Sequence, residues 1–225
     1  MGAGFMVRNN SDNLVIDSKF KNLAFARKFT AITTQQSERY SCATINLSDL
    51  SGYPLVATQS AAGAWATTHH YANGAAFVDI VSRGPVGSAV DCFIFAGPVD
   101  PGERCGIQVF NDGGALVFSS GCKYMRVVGS LFDMAGPPLP TGSLTLPAGK
   151  SYAVFQTEPM AYRDNTYTPG APNDRYVASR RGCFAVNGNV IKTVADAFWI
   201  MAHGTSPYPD YNKGATGFVI DVTGY

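Results

Sequence analysis

The sequence predicts an all-β fold of the β-sandwich type, built from two related halves, and three observations predict it. A fifteen-residue pattern recurs 102 positions further along the chain. Apolar residues alternate with polar ones in one run after another, each run bounded by Gly, Pro, Asn or Asp. No segment sustains a 3.6-residue period or carries a good pair of helix caps.

Residues 4 to 18 read GFMVRNNSDNLVIDS and residues 106 to 120 read GIQVFNDGGALVFSS, so Gly4, Val7, Asn9, Leu14, Val15 and Ser18 fall on Gly106, Val109, Asn111, Leu116, Val117 and Ser120 without a gap. Each copy is two apolar runs around a polar cluster, NNSDN or NDGGA, which is how a β-hairpin with a loop of about five residues is written. Asp112-Gly113 suits the positive-φ positions of such a turn. The period of two points Phe5, Val7, Leu14 and Ile16 inward, and Ile107, Val109, Leu116 and Phe118 in the second copy. Another strand-like run follows each hairpin, KFKNLAFA and GCKYMRVV, aligning Lys21 with Lys123, Leu23 with Met125 and Phe25 with Val127. The expected unit is a three-strand meander, present twice. Its offset divides the chain into an N-terminal β-half, residues 1–102, and a C-terminal β-half, residues 103–225, either two domains or parts of one shared sandwich.

The remaining elements follow in order. Residues 30 to 47 suit two short strands around Gln35 to Glu38, Ser48 to Pro54 is a turn cluster, and Pro54 to Ala57 opens a further strand. Residues 60 to 74 are rich in Ala, but Gly63, Gly74 and Thr67-Thr68 argue for strand, loop and strand. AAFVDIVSR and AVDCFIFAG are two more strands, separated by Gly84-Pro85 and Gly87. In the second half, Met134 to Gly142 is too rich in proline for strand or helix. SLTLPAGKSYAVFQ reads as two strands about a turn at Pro147 to Gly149. Residues 157 to 175 read as a long polar connection, a length that in compact domains usually goes with function or mobility. RYVASRRGCFAV, a turn at Asn187-Gly188, NVIKTVADAFWIMAHG, a loop TSPYPDYNKG and a strand GFVIDVTGY complete the chain.

Composition narrows the function. Charged residues make up 15%, against roughly 25% in an average globular protein, and 24 Gly and 13 Pro supply many turns. A surface of Ser, Thr, Asn, Tyr and Gly is typical of proteins that give much of it to neighbours. The net charge of +1 and a single adjacent basic pair, Arg180-Arg181, speak against nucleic acid. No apolar run is long enough to cross a membrane, and the charged-then-apolar leader of secreted chains is lacking, so membrane insertion and export are not expected. Cys42, Cys92, Cys105, Cys122 and Cys183 contain no C-x-x-C, so reduced, buried thiols are expected. A Cys105–Cys122 bridge would clamp the second hairpin, but synthesis in the cytosol disfavours it.

The search for chemistry yields little. His69 and His70 face opposite sides of a strand and His203 is remote, so no metal site is indicated. No nucleophile motif or cofactor fingerprint occurs. Glycan cleavage needs a close pair of carboxylates. Glu38, Glu103 and Glu158 lie among turn residues, and Asp79, Asp91 and Asp221, inside apolar strands, read as outward-facing or hydrogen-bonded positions. An enzyme is not expected. Binding fits better: the stretches 157–175 and 203–213 present Tyr162, Tyr167, Asn173, Asp174, Tyr176, Tyr208 and Tyr211, a composition that gains contact area at low entropic cost. A neighbouring subunit and a glycan would both suit such a surface, and Tyr enrichment at protein interfaces favours the subunit. Trp65 and Trp199 read as core.

The opening GAGFMVRNNSDNLVIDS, with its glycine, alternating strand, Asn-led turn and Leu-Val-x-x-Ser, resembles the start of minor tail proteins, the small β-rich proteins encoded among the tail-tip and tail-fibre genes of tailed bacteriophages. The resemblance covers about the first 25 residues and residues 106 to 130, and beyond them composition alone. It implies a structural virion protein of the tail tip or fibre-attachment region, assembled in the host cytoplasm and present in the tail in multiple, cyclically arranged copies. Its partners would be other phage tail proteins docked through Tyr-rich loops and sheet edges. The alternative is a host-receptor or glycan-binding module of the tail.

Overall fold

The computed structural model describes residues 6–8, 14–17, 22–37, 40–50, 52–70, 76–100, 102, 106–132, 142–158, 160–167, 174–203 and 211–225; for 6–8, 14–17, 37, 70, 160–167, 174–181, 195–203 and 211–213 the description is of the backbone. Among these residues there are strands and turns and no helix. The N-terminal half supplies β1 (Met6–Arg8), β2 (Leu14–Asp17), β3 (Ala24–Ile32), β4 (Gln35–Ser37), β5 (Tyr40–Asn46), β6 (Leu55–Gln59), β7 (Ala64–His70), β8 (Ala76–Ser82) and β9 (Ala89–Ala96). The C-terminal half supplies β10 (Gln108–Phe110), β11 (Leu116–Ser119), β12 (Val127–Leu131), β13 (Ser143–Thr145), β14 (Tyr152–Glu158), β15 (Met160–Tyr167), β16 (Asp174–Asn187), β17 (Val190–His203), β18 (Tyr211–Lys213) and β19 (Thr216–Asp221).

The two hairpins pair in the same register. Met6↔Asp17, Val7↔Ile16 and Arg8↔Leu14 in one become Gln108↔Ser119, Val109↔Phe118 and Phe110↔Leu116 in the other, and the register slips after Val7 and after Val109. Every one of these positions is related by 102 residues. In the second loop the left-handed glycine is Gly114, at φ 76°, and not the expected Gly113. The Asn111 side chain accepts from the N–H groups of Gly113 and Ala115 and so closes the loop.

The run after each hairpin departs from a simple meander. It leaves its hairpin, which stays two-stranded, and becomes an edge of a six-stranded antiparallel sheet ordered β12-β19-β14-β6-β9-β3. The repeat nonetheless continues: β3 bulges between Phe25 and Arg27, and β12 bulges between Val127 and Gly129, the same positions 102 residues on. The expected inward set is also only partly right. Val109 is buried, but so are Val117 and Ser119 of the opposite alternation, while Ile107 is exposed. The cause is cover on the second side: Asn22 N–H donates to the Val117 carbonyl, and the Tyr124 hydroxyl bonds both backbone groups of Ser119.

The second sheet has nine strands, with the path β13-β17-β16-β7-β8-β5-β4 and β15 and β18 added beside β16. Each half thus contributes three matching strands to each sheet. In the six-stranded sheet these are β3-β9-β6 and β12-β19-β14, and in the other β5-β8-β7 and β13-β17-β16. The halves meet where β6 joins β14 at Thr58↔Val154 and where β7 joins β16 at Phe184↔Ala64. Both junctions are antiparallel, which is what a two-fold axis between equivalent edges produces. The halves are therefore joined through continuous sheets.

Core packing repeats the duplication. Between the sheets of the N-terminal half lie Val56, Ile80, Val90, Cys92 and Ile94, and between those of the C-terminal half Leu131, Val154, Phe184, Ile191 and Val219. Strand β8 buries every second residue, as a half-covered strand must. Strand β9 is apolar almost throughout because its other face is covered too. Phe93 and Phe95 pack there with Ala57, Ala153, Ile220 and Val222 under Leu23, Phe25, Met125 and Tyr225. On the nine-stranded sheet Trp65 is buried, as expected, with Tyr40 edge-on to its ring and Cys183 beside it.

Candidate interaction surfaces

Of the tyrosines singled out in sequence, Tyr162, Tyr167, Tyr176 and Tyr211 stand on strands and not on loops. Residues 160–167 form β15, which pairs with β16 from Met160↔Gly182 to Tyr167↔Arg175, so the middle of the expected polar connection is one strand of a ribbon. Its sequence MAYRDNTY lacks alternating apolar residues, and backbone pairing rather than side-chain pattern defines it. Tyr162 lies opposite Arg180 and Asn212, Tyr176 opposite Thr166 and Met201, and Asp174 opposite His203. Tyr211 opens β18, opposite Arg163. By register, Tyr162, Asp174 and Tyr176 belong to one alternation of the ribbon, and Tyr167 and Tyr211 to the other. Asn173 and Tyr208 lie outside the described residues, as does the side chain of Trp199.

Strands β16 and β17 are each 14 residues long, more than twice the usual strand, and remain paired throughout about the predicted Asn187-Gly188 turn, where Gly188 has φ 59°. The part beyond Gly182 carries β15 on the edge that β7 occupies lower down.

The six-stranded sheet ends on β12, which presents Val127, Val128 and, just beyond it, Phe132 to solvent, the last at 67% exposure. The opposite edge, β3, is guarded differently. Arg27 and Lys28 stand where β12 has Gly129 and Ser130, and they pair with Asp49 and Asp91. Charge on an edge strand discourages further pairing, and β12 has no such guard.

The three strand aspartates are hydrogen-bonded and lie on different surfaces. Asp79, on the outer side of the nine-stranded sheet, accepts from Thr44 at 2.6 Å and faces His69 Nε2 at 3.0 Å. Asp91 is on the outer side of the six-stranded sheet, where Thr30 donates at 2.6 Å and Lys28 Nζ lies at 2.9 Å. Burial works against ionisation of Asp91, but these partners outweigh it and lower its carboxyl. Asp221 is buried at the end of β19, with Lys150 Nζ at 2.9 Å and Arg126 Nη2 at 3.5 Å. Burial again opposes charge, and Lys150, Thr223 and Arg126 together hold the carboxyl at about 2. Asp79 and Asp91 are on opposite sides of the sandwich and form no acid pair. Among the described residues no three His, Cys, Asp or Glu side chains cluster as metal ligands would.

Two of the expected buried thiols, Cys42 and Cys122, are only half-buried, because Cys42 lies next to the short edge strand β4 and Cys122 borders an open cavity. Cys92 and Cys183 are fully buried. Cys105, and with it the bridge to Cys122, lies outside the described residues.

Two cavities flank the segment 121–126. One, of about 600 Å³, lies among Phe25, Asp49, Ala96, Val99 and Cys122, and the other, of about 330 Å³, among Lys123, Tyr124, Arg126, Thr223 and Tyr225. Neither was signalled by a motif, since each is built from two segments about a hundred or more residues apart in some part of its wall. No protein-family model, curated protein or solved structure matches the chain.

Proposed function

We propose that this chain is a structural protein of a phage tail tip or fibre-attachment region, where it docks onto other tail proteins in several symmetric copies. The unguarded β12 edge supports this reading most directly. Val127, Val128 and Phe132 are exposed on a strand that pairs on one side only among the described residues, a combination that an added strand from a neighbouring subunit would cover. The low charge of the chain agrees with a surface given to neighbours, and the two half-cores joined by continuous sheets give it the rigidity a tail component needs. The sequence resemblance supplies the tail context.

The test is a reconstruction of the intact particle from which the chain comes, together with mass spectrometry of purified particles. The reading expects stoichiometric copies in the tail, with β12 continuing into a strand of another subunit. Absence of the chain from purified particles would reject it. A solvent-facing β12 in the assembled tail would reject the docking edge.

A further inference from the structure

The smaller of the two cavities carries chemistry that its counterpart lacks. The register of the repeat relates Ala24, which pairs with Ala96, to Arg126, whose carbonyl accepts from Asp221 N–H. The same fold position is thus closed by two alanines in one half and by an arginine and an aspartate in the other. Alanine satisfies the position in one half, whereas in the other the pair both helps to hold Asp221 and presents the Arg126 head beside the cavity.

The cations converge on one ring. The Arg126 guanidinium lies 5.1 Å from the Tyr225 ring centroid and Lys123 Nζ 5.9 Å from it. Lys123 donates to the Gly224 carbonyl at 2.6 Å and Arg126 to that of Thr223 at 2.7 Å. An ammonium has three donors and a guanidinium five, so both heads keep donor capacity. The aromatic hydroxyls are committed elsewhere: Tyr225 donates to the Tyr124 carbonyl, and Tyr124 bonds Ser119. The Thr223 hydroxyl is committed as well: its oxygen accepts from Ser151 N–H and its proton goes to the Asp221 carboxylate. The Tyr225 ring is fixed edge-on by Phe25 and Phe95. What faces the cavity with donors to spare is thus two cationic heads between rigid aromatic walls, with Asp221 paired to Arg126.

We propose that this cavity, between residues 123–126 and 223–225, binds an acidic saccharide, with the carboxylate of a uronate-type sugar held by Lys123 and Arg126. Charge-assisted bonds from a guanidinium to a carboxylate are the strong ones. A cavity of about 330 Å³ falls within the range of about 300–1,000 Å³ usual for small organic ligands and exceeds what a bare inorganic anion fills. The site is independent of the β12 edge and of any assembly role.

The experiment is an NMR titration of the whole isotopically labelled protein with galacturonic acid and its short oligomers, beside neutral galactose and inorganic phosphate. Uronate is expected to shift the signals of residues 123–126 and 223–225 saturably, with galactose and phosphate at least about tenfold weaker. Arg126→Ala installs the residue that the other half already uses, and is expected to weaken uronate binding by about tenfold or more in a chain that still folds, its thermal midpoint lowered modestly because Asp221 loses one of its two cations. Lys123→Gln leaves the Asp221 pairs intact, and is expected to weaken uronate binding likewise with the thermal midpoint close to that of the parent. No saturable shift, equal binding of phosphate or galactose, or unchanged affinity in both variants would overturn the proposal.

Discussion

Leu23 and Met125 face each other across the chain's internal two-fold: the Met125 N–H donates to the Leu23 carbonyl at 2.9 Å, and the two residues are 102 positions apart, the offset of the repeat. An equivalent pair in mutual contact lies at the axis that relates the copies. Next to it, Ala24 and Tyr124 form an antiparallel bridge. Both side chains pack on the apolar outer face of the six-stranded sheet, so the crossing segments tie the halves together at a third place besides the two sheet junctions. A double-mutant cycle with Leu23→Ala and Met125→Ala should give a coupling of about 0.5–1 kcal/mol in urea unfolding. Strict additivity would show that the two sides of the axis unfold without regard to each other.

Asp221 ties stability to acid. Its folded carboxyl titrates at about 2, below the usual 3.8, so the unfolded chain binds the proton more readily. The contribution is complete above the unfolded value and fades as pH falls from about 4 to about 2. Allowing for solvent around the half-exposed Lys150 and Arg126 heads, it is of order 1–2 kcal/mol. Asp221→Asn should lower stability by that amount at pH 7 and flatten the acid limb between those values. An acid limb unchanged in the variant would refute the assignment.

Gly63 has room for no side chain. Its φ is +92°, and a Cβ would stand 2.4 Å from Val194 Cγ2 and 2.9 Å from Cys183 Sγ. Gly63→Ala should therefore cost about 2–4 kcal/mol, strain and overpacking together. Gly87→Ala is the control: it shares φ +92° but meets nothing within 4 Å, so it should cost roughly 1–2 kcal/mol. Equal losses in chemical denaturation would mean that backbone strain alone is at work and the Cys183–Val194 contact yields.

Asn111 closes the second hairpin loop through two bonds to its own backbone. Asn111→Ala should cost about 1–2 kcal/mol and speed amide exchange at Gly113 and Ala115. Unaltered exchange at both amides would dismiss the side chain's role.

The thiols should react in two classes. Burial pushes the Cys92 thiol up to about 12, and Cys183 is sealed beside Trp65. At pH 8 the thiolate fraction at Cys92 is on the order of 10⁻⁴. Native-state alkylation read by peptide mass spectrometry should label Cys122 and Cys42 well before Cys92 and Cys183. Labelling of Cys92 at the rate of Cys122 would contradict this packing.

Sequence alone determined the strand-rich class, the duplicated hairpins with their shared register and the turns at Gly149 and Gly188, because alternation and turn chemistry act between residues close along the chain. It could not show that Ala24 and Arg126 occupy one position of a shared plan, that MAYRDNTY joins the sheet as β15, or that segments 123–126 and 223–225 enclose a cavity. Those depend on which strand edges meet. Backbone hydrogen bonding is nearly indifferent to side-chain identity, so only the packing of the two half-cores and the antiparallel junctions at Thr58–Val154 and Ala64–Phe184 decide the partners.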